Sequence, residues 1–177
     1  MSLRMKLRTC AWLAGVALAG AAVFGLGSAS AQDKPPLKIG FSMSLTGFLS
    51  SVGKQGLLGI EIWRDHINKE GGLLGRKVEL VYYDDKSSPQ EVPGIYTKLL
   101  DVDKVDLVVG GYATNEVAPA MPVVMRKGKT FISLFALDVN AKFKYPKYFS
   151  VLPTGPNTKT SFTEGFFEAA KAQGGMK

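Results

Sequence analysis

Residues 67–85 read Ile67-Asn68-Lys69-Glu70-Gly71-Gly72-Leu73-Leu74-Gly75-Arg76-Lys77-Val78-Glu79-Leu80-Val81-Tyr82-Tyr83-Asp84-Asp85, a helix ending, a tight turn and a β-strand in succession. Upstream, Gly56, Ile60, Trp63 and Ile67 recur at helical spacing and form one face suited to packing on a sheet. Gly71 and Gly72 stop the helix, because glycine accepts the left-handed conformation that closes helices, and Gly75 lets the chain reverse. Val78, Leu80 and Tyr82 then alternate with Glu79, Val81 and Tyr83, as in a strand with at least one face buried. A phosphate-cradling glycine loop is the competing reading. Such loops lead from a strand into a helix, whereas this one follows a helix.

Working outward, the same alternation repeats. Strands are predicted at 37–43, 77–83, 105–109, 129–134 and 147–151, and helices at 54–70, from Pro89 onward with a stripe of Ile95, Lys98, Leu99 and Val102, at 115–127 and at 160–172. Pro119 falls in the early turns of the third helix and Pro122 predicts a bend. Strands separated by helices of this length imply right-handed crossovers and a parallel sheet, an α/β layer architecture. In such sheets ligands bind beyond the carboxyl ends of the strands, where strand order reverses. The loops that matter are therefore 44–53, 84–88, 110–116 and 134–140.

The amino terminus has a separate logic. Met1 to Arg8 carries Arg4, Lys6 and Arg8 and no acid, Cys10 to Gly27 is uncharged, and Ala29-Ser30-Ala31 follows, the pattern of a secretory signal peptide cleaved after Ala31. A membrane anchor is the alternative, but the apolar run is mostly Ala and Gly and ends in small residues. Cys10 precedes that run, so it is misplaced for lipid modification. Without residues 1–31, 146 of the 177 residues remain, and 19 basic against 15 acidic residues lower the net charge from +7 to +4. That mild, dispersed excess gives no nucleic-acid footprint; Arg126-Lys127-Gly128-Lys129 reads as a solvated helix end. The mature chain has no cysteine, which excludes disulfides and thiol catalysis. Enzyme readings are weak. His66 is the sole histidine, and Asp84 and Asp85 are neighbours on a strand end whose side chains point apart. No cofactor or metal is expected.

The pattern of Asn68, Gly71-Gly72, Leu73-Leu74, Gly75 and Arg76 before a strand ending in Asp resembles the first βαβ unit of periplasmic binding proteins. More narrowly, it is similar to the branched-chain (hydrophobic) amino acid binding proteins of ABC transporters. The resemblance spans 37–172 and implies a three-layer parallel-sheet sandwich, the N-terminal lobe of a type I periplasmic binding protein. It implies a signal peptide at 1–31, a ligand-binding lobe at 32–152, and at 153–177 the hinge crossing and first helix of an incomplete second lobe. In Gly110-Gly111-Tyr112-Ala113-Thr114-Asn115, Thr114 falls on the family's hydroxyl position, where it either caps the helix alone or also offers its backbone N–H to a ligand carboxylate. Ala113 belongs to the same contact loop, and Tyr112 either covers a ligand or packs. Ala136 matches a backbone donor. Asp138 stands where relatives often carry a hydroxyl residue, so it either meets a ligand ammonium or is a solvated loop acid. After the family's hydroxyl-Gly pair, here Thr46-Gly47, the candidates are Ser50, Ser51 and Val52.

The function so implied is non-enzymatic: periplasmic capture of a small solute, a branched-chain or related amino acid leading, for delivery to ABC transporter permease subunits. The membrane is met only through the permease. Aromatic acids, amides and urea remain open as ligands, and an exported ligand-sensing module is the alternative from another class.

Overall fold

The computed structural model describes residues 34–152 and 158–174. Strands β1 (Leu37–Met43) and β2 (Val78–Asp84) run parallel in register from Leu37↔Val78 to Met43↔Asp84. On the other side of β1 lies β3 (Leu107–Val109), then β4 (Phe131–Ser133) and β5 (Tyr148–Ser150), giving the all-parallel order β2-β1-β3-β4-β5. The helices are α1 (Ser50–Lys69), α2 (Val92–Asp101), α3 (Thr114–Val117), a 3₁₀ turn (Ala118–Ala120), α4 (Met121–Arg126), α5 (Asn140–Phe143) and α6 (Thr158–Ala172). The α/β class and parallel sheet predicted from the sequence are therefore the architecture observed. The predicted leader at 1–31 and the crossing at 153–157 lie outside the described residues.

The motif at 67–85 has a physical account. The Asn68 amide donates to Val78 O at 2.9 Å and accepts from Val78 N–H at 2.7 Å, so one side chain completes the edge of β2 as a strand would. Gly72 adopts φ 85°, and a Cβ there would meet Arg76 O at 2.0 Å; only glycine closes this turn. Arg76 then donates to Pro35 O and Pro36 O, both at 2.7 Å, and to Asp106 Oδ2 at 3.0 Å, holding the start of β1 and the approach to β3.

Several predicted boundaries shift. The first helix begins at Ser50, not Lys54, because Gly53 N–H bonds Leu49 O at 2.8 Å and closes a turn the alternation could not show. Pro89 lies in the turn before α2, and Pro93 occupies the first helical turn instead. The buried stripe of α2 is Val92, Tyr96 and Leu99; Lys98 and Val102 are exposed. The third predicted helix is broken into α3, a 3₁₀ turn and α4, since Pro119 and Pro122 each remove a backbone donor. The short α5 was not predicted, its four residues being too few for a period.

One sheet face is well covered. Val92, Tyr96 and Leu99 of α2 pack with Val108, Val117, Val124 and Phe131, the Tyr96 and Phe131 rings meeting edge to face at 5.6 Å. The opposite face carries α1 over β1 and β2, where Phe41 stacks on Tyr82 at 5.3 Å, and leaves Leu107, Ile132 and Phe149 exposed. Parallel sheets normally bury both faces.

Gly53 sits in the first turn of α1 so close to β1's following loop that a Cβ would lie 2.0 Å from Ser44 O. A helical Gly→Ala change ordinarily stabilises by about 1 kcal/mol. Here overpacking, typically about 1–3 kcal/mol, opposes it. Gly53→Ala is expected to lower stability in urea unfolding, and a gain would refute the contact.

Candidate ligand-binding site

Strand order reverses between β1 and β3, since β1 is followed by β2 on one side and β3 on the other. The loops leaving β1, β3 and β4 therefore diverge around one cleft at the carboxyl end of the sheet. An isolated parallel bridge, Tyr112↔Phe135, prolongs the β3–β4 pairing past the strand ends, and the two rings lie 5.5 Å apart, tilted by 34°.

The predicted residues fall into three groups. Tyr112, Ala113 and Thr114 follow β3, all half-buried; Ala136 is buried and Asp138 exposed after β4. Ser50, Ser51 and Val52 form the first turn of α1, a correction to the predicted loop, with Ser51 exposed and the other two half-buried. The β3 and β4 groups are joined directly. Thr114 Oγ1 accepts from Leu137 N–H at 2.9 Å and donates to Leu137 O at 3.2 Å. This corrects the expected cap: Ala113 is the N-cap, no side chain caps α3, and the hydroxyl instead ties the two loops together. The amides of Thr114 and Asn115 precede the first intrahelical bonds, which Glu116 and Val117 make to Ala113 O.

Ala113 is strained. Its φ of 72° with ψ of 152° lies in a region essentially restricted to glycine, costing about 1–3 kcal/mol in a residue with a Cβ. Asp138, at φ 48°, takes a left-handed conformation that Asp tolerates.

The loop after β1 is held by residues that sequence reasoning did not assign. Asp84 Oδ2 accepts from Thr46 Oγ1 at 2.6 Å, and Asp84 Oδ1 from the amides of Leu45 at 3.0 Å, Thr46 at 3.2 Å and Lys86 at 2.8 Å. Burial alone would push the Asp84 carboxyl up, but the Thr46 hydroxyl and these amides outweigh it and hold the group below the usual carboxylate range. Asp85 turns inward and is fully buried, accepting from Ser44 Oγ at 2.7 Å and Ser87 N–H at 3.0 Å. The two neighbours do point apart, as strand geometry requires. The available signal was their position after β2, opposite the Thr46-Gly47 loop.

A cavity of about 780 Å³ lies along the less covered sheet face. Val52, Tyr112 and Phe135 line it near the carboxyl end of the sheet, and Ile60, Trp63 and Ile132 line it over the sheet face. Among the described residues no group of three or more His, Cys, Asp or Glu side chains is placed to hold a metal ion. No helix among them is long and apolar enough to cross a membrane.

A parallel sheet with its loops gathered at the strand reversal defines the ligand-binding lobe of a type I binding protein fold. The chain belongs to the periplasmic binding protein family, whose profile matches residues 36–177. That family comprises non-enzymatic ligand-binding components of transporters. An amino acid binding protein of Pseudomonas aeruginosa is 33% identical over 113 residues, 64% of this chain and 29% of that protein. Among solved structures, the branched-chain amino acid transporter substrate binding protein LivJ of Streptococcus pneumoniae, in complex with isoleucine, superposes with a TM-score of 0.61 and 30% identity, over 65% of this chain and 33% of that one. A solute binding protein of an ABC transporter from Rhodopseudomonas palustris, in complex with 3,4-dihydroxy benzoic acid, gives 0.57 and 25%, over 66% and 31%. The chain thus spans about a third of the length of these relatives.

Two outcomes follow from the geometry. Ala113→Gly relieves the strained backbone and is expected to raise stability by about 1 kcal/mol in urea titration, with destabilisation refuting the strain. Because the folded Asp84 group titrates below its unfolded value, its stabilisation is present above the ordinary carboxylate range and is lost as pH falls through the folded pKa. Asp84→Asn should flatten that acid limb of the stability profile, and an unchanged limb would assign it to other carboxylates.

Proposed function

We propose that the complete protein captures a small carboxylate-bearing solute in the periplasm and delivers it to the permease of an ABC transporter, with a branched-chain or related amino acid as the leading ligand. The observation that carries this reading is the Thr114–Leu137 bridge, which brings the β3 and β4 loops to one cleft beside the first turn of α1. In this reading the Thr114 amide and the Ala136 segment receive the carboxylate, while Ser50, Ser51 and Val52 flank it. Asp138 is the acid available to an ammonium, and Tyr112 and Ala113 complete the wall. The relatives that bind isoleucine and amino acids support an amino acid.

A second reading has its own observation. Tyr112 and Phe135 form an aromatic pair in the cavity lining, which suits an aromatic acid, and the dihydroxybenzoate-bound relative supports it. Further domain assignments belong to the same proposal: residues 1–31 as a cleaved leader, 32–152 as this lobe, and 153–177 as the crossing into a second lobe.

Calorimetric titration of the complete two-lobed protein with leucine, isoleucine, valine and benzoate tests the reading. Thr114→Ala, which loosens the loop pair and its carboxylate contact, is expected to weaken the preferred ligand about tenfold. Unchanged affinity would remove Thr114 from the site. Tighter binding of benzoate than of every aliphatic amino acid would transfer the assignment to aromatic acids.

A further inference from the structure

The loop after β1 carries Phe48, whose side chain is 95% exposed. An exposed apolar residue is ordinary on a protein surface. The backbone beneath this one is not. The Ser87 hydroxyl donates to Thr46 O at 2.7 Å and accepts from Leu49 N–H at 3.0 Å, so one side chain closes the four-residue turn Thr46–Leu49 from outside. Asp84 holds Thr46 by its hydroxyl at 2.6 Å and its amide at 3.2 Å, and Ser50 N–H bonds Gly47 O at 3.2 Å. Gly47, at φ 80°, passes so near the loop after β2 that a Cβ there would collide with Lys86 O and lie 2.8 Å from Ser87 Oγ. Lys86 and Ser87, both at φ 58°, take the left-handed conformation that residues with a Cβ seldom adopt.

Phe48 also lacks the local partner that its position ordinarily provides. Leu49 is the N-cap of α1, and an apolar residue just before the cap commonly packs on the fourth helical residue. That residue is Gly53, and the space a side chain would need there is filled by Ser44 O. A pinned turn therefore holds the ring outward, with no neighbour among the described residues to cover it.

Topology identifies what approaches it. The five strands are parallel, so the chain leaves β5 at the same edge of the sheet at which Thr46–Leu49 leaves β1. The chain spans about a third of its relatives' length, and the remainder of a complete protein starts from that edge.

We propose that Phe48 is the contact on which the second lobe of the complete protein closes, and that Ser87 is the positioning residue that holds it out. The proposal rests on the two-lobed solute-binding reading above. In the open protein the ring is solvated; in the closed protein it enters an apolar recess of the second lobe. Its burial is realised only on closure, so it favours the ligand-retaining state and slows dissociation without touching the ligand.

Calorimetric titration of the complete protein with leucine, isoleucine, valine and benzoate, followed by stopped-flow dissociation of those that bind, tests the proposal. Phe48→Ala is expected to leave urea stability unchanged, since the ring is solvated in its own lobe, while binding weakens and dissociation quickens about tenfold each. Unchanged affinity and dissociation overturn the proposal, and if uptake in cells then falls, Phe48 is transferred to the permease. Ser87→Gly separates the hydroxyl from stability, because glycine relieves the left-handed backbone and offsets the lost bonds in urea unfolding. Exchange of the Leu49 amide should rise, and affinity should fall as in Phe48→Ala; wild-type affinity overturns the positioning role. The double variant should bind no more weakly than Phe48→Ala alone, whereas additive losses overturn the link between the two residues. A wild-type protein that binds none of the four solutes removes the solute-binding reading and this inference with it. Binding that Phe48→Ala leaves unmoved removes the inference alone.

Discussion

The central strand β1 bears the constraint on which the carboxyl end of the sheet depends. It is paired in parallel along its length with β2 and, at Ile39 and Gly40, with β3, so neighbouring connections must leave it in opposite directions. Five of its seven residues are buried apolar or glycine positions, which fixes its register against both partners. Once that register is set, the loops after β1 and β3 are obliged to meet at the same edge. The cleft is a consequence of pairing order before it is a consequence of any ligand contact.

What turns adjacency into a shaped surface is a set of short polar links between loops. Asp84 gathers the Thr46 hydroxyl and three amides, Asp85 holds Ser44 and Ser87, and Thr114 holds both backbone groups of Leu137. Each is modest alone, at about 1 kcal/mol net for a neutral bond and more where a charge is involved. The Thr114–Leu137 link lies next to Ala113, whose backbone takes a conformation that a residue with a Cβ seldom adopts.

The sheet was legible in the sequence because alternation and glycine punctuation report directly on burial and turn geometry. Residues 67–85 show this well: Asn68, Gly72 and Arg76 each prove to make a contact or conformation specific to their type. The family resemblance, stated on those residues, agrees with the profile match over 36–177. Less was legible where a side chain's partner lies far along the chain. Thr114 was read as a cap because local spacing suggests one, yet its partner is Leu137, 23 residues on. The start of α1 was missed for a similar reason: Gly53 suggests a loop until its contact with Ser44 is known.

Helix α1 is fixed at two remote points, by the backbone approach of Gly53 to Ser44 near its start and by the reciprocal Asn68–Val78 bonds near its end. Its 20 residues correspond to a rod of about 30 Å. A rod pinned at both ends to adjacent strands transmits displacement instead of absorbing it. A push on its first turn at Ser50 is delivered to the β2 edge, so the described sheet and α1 respond as a single mechanical unit.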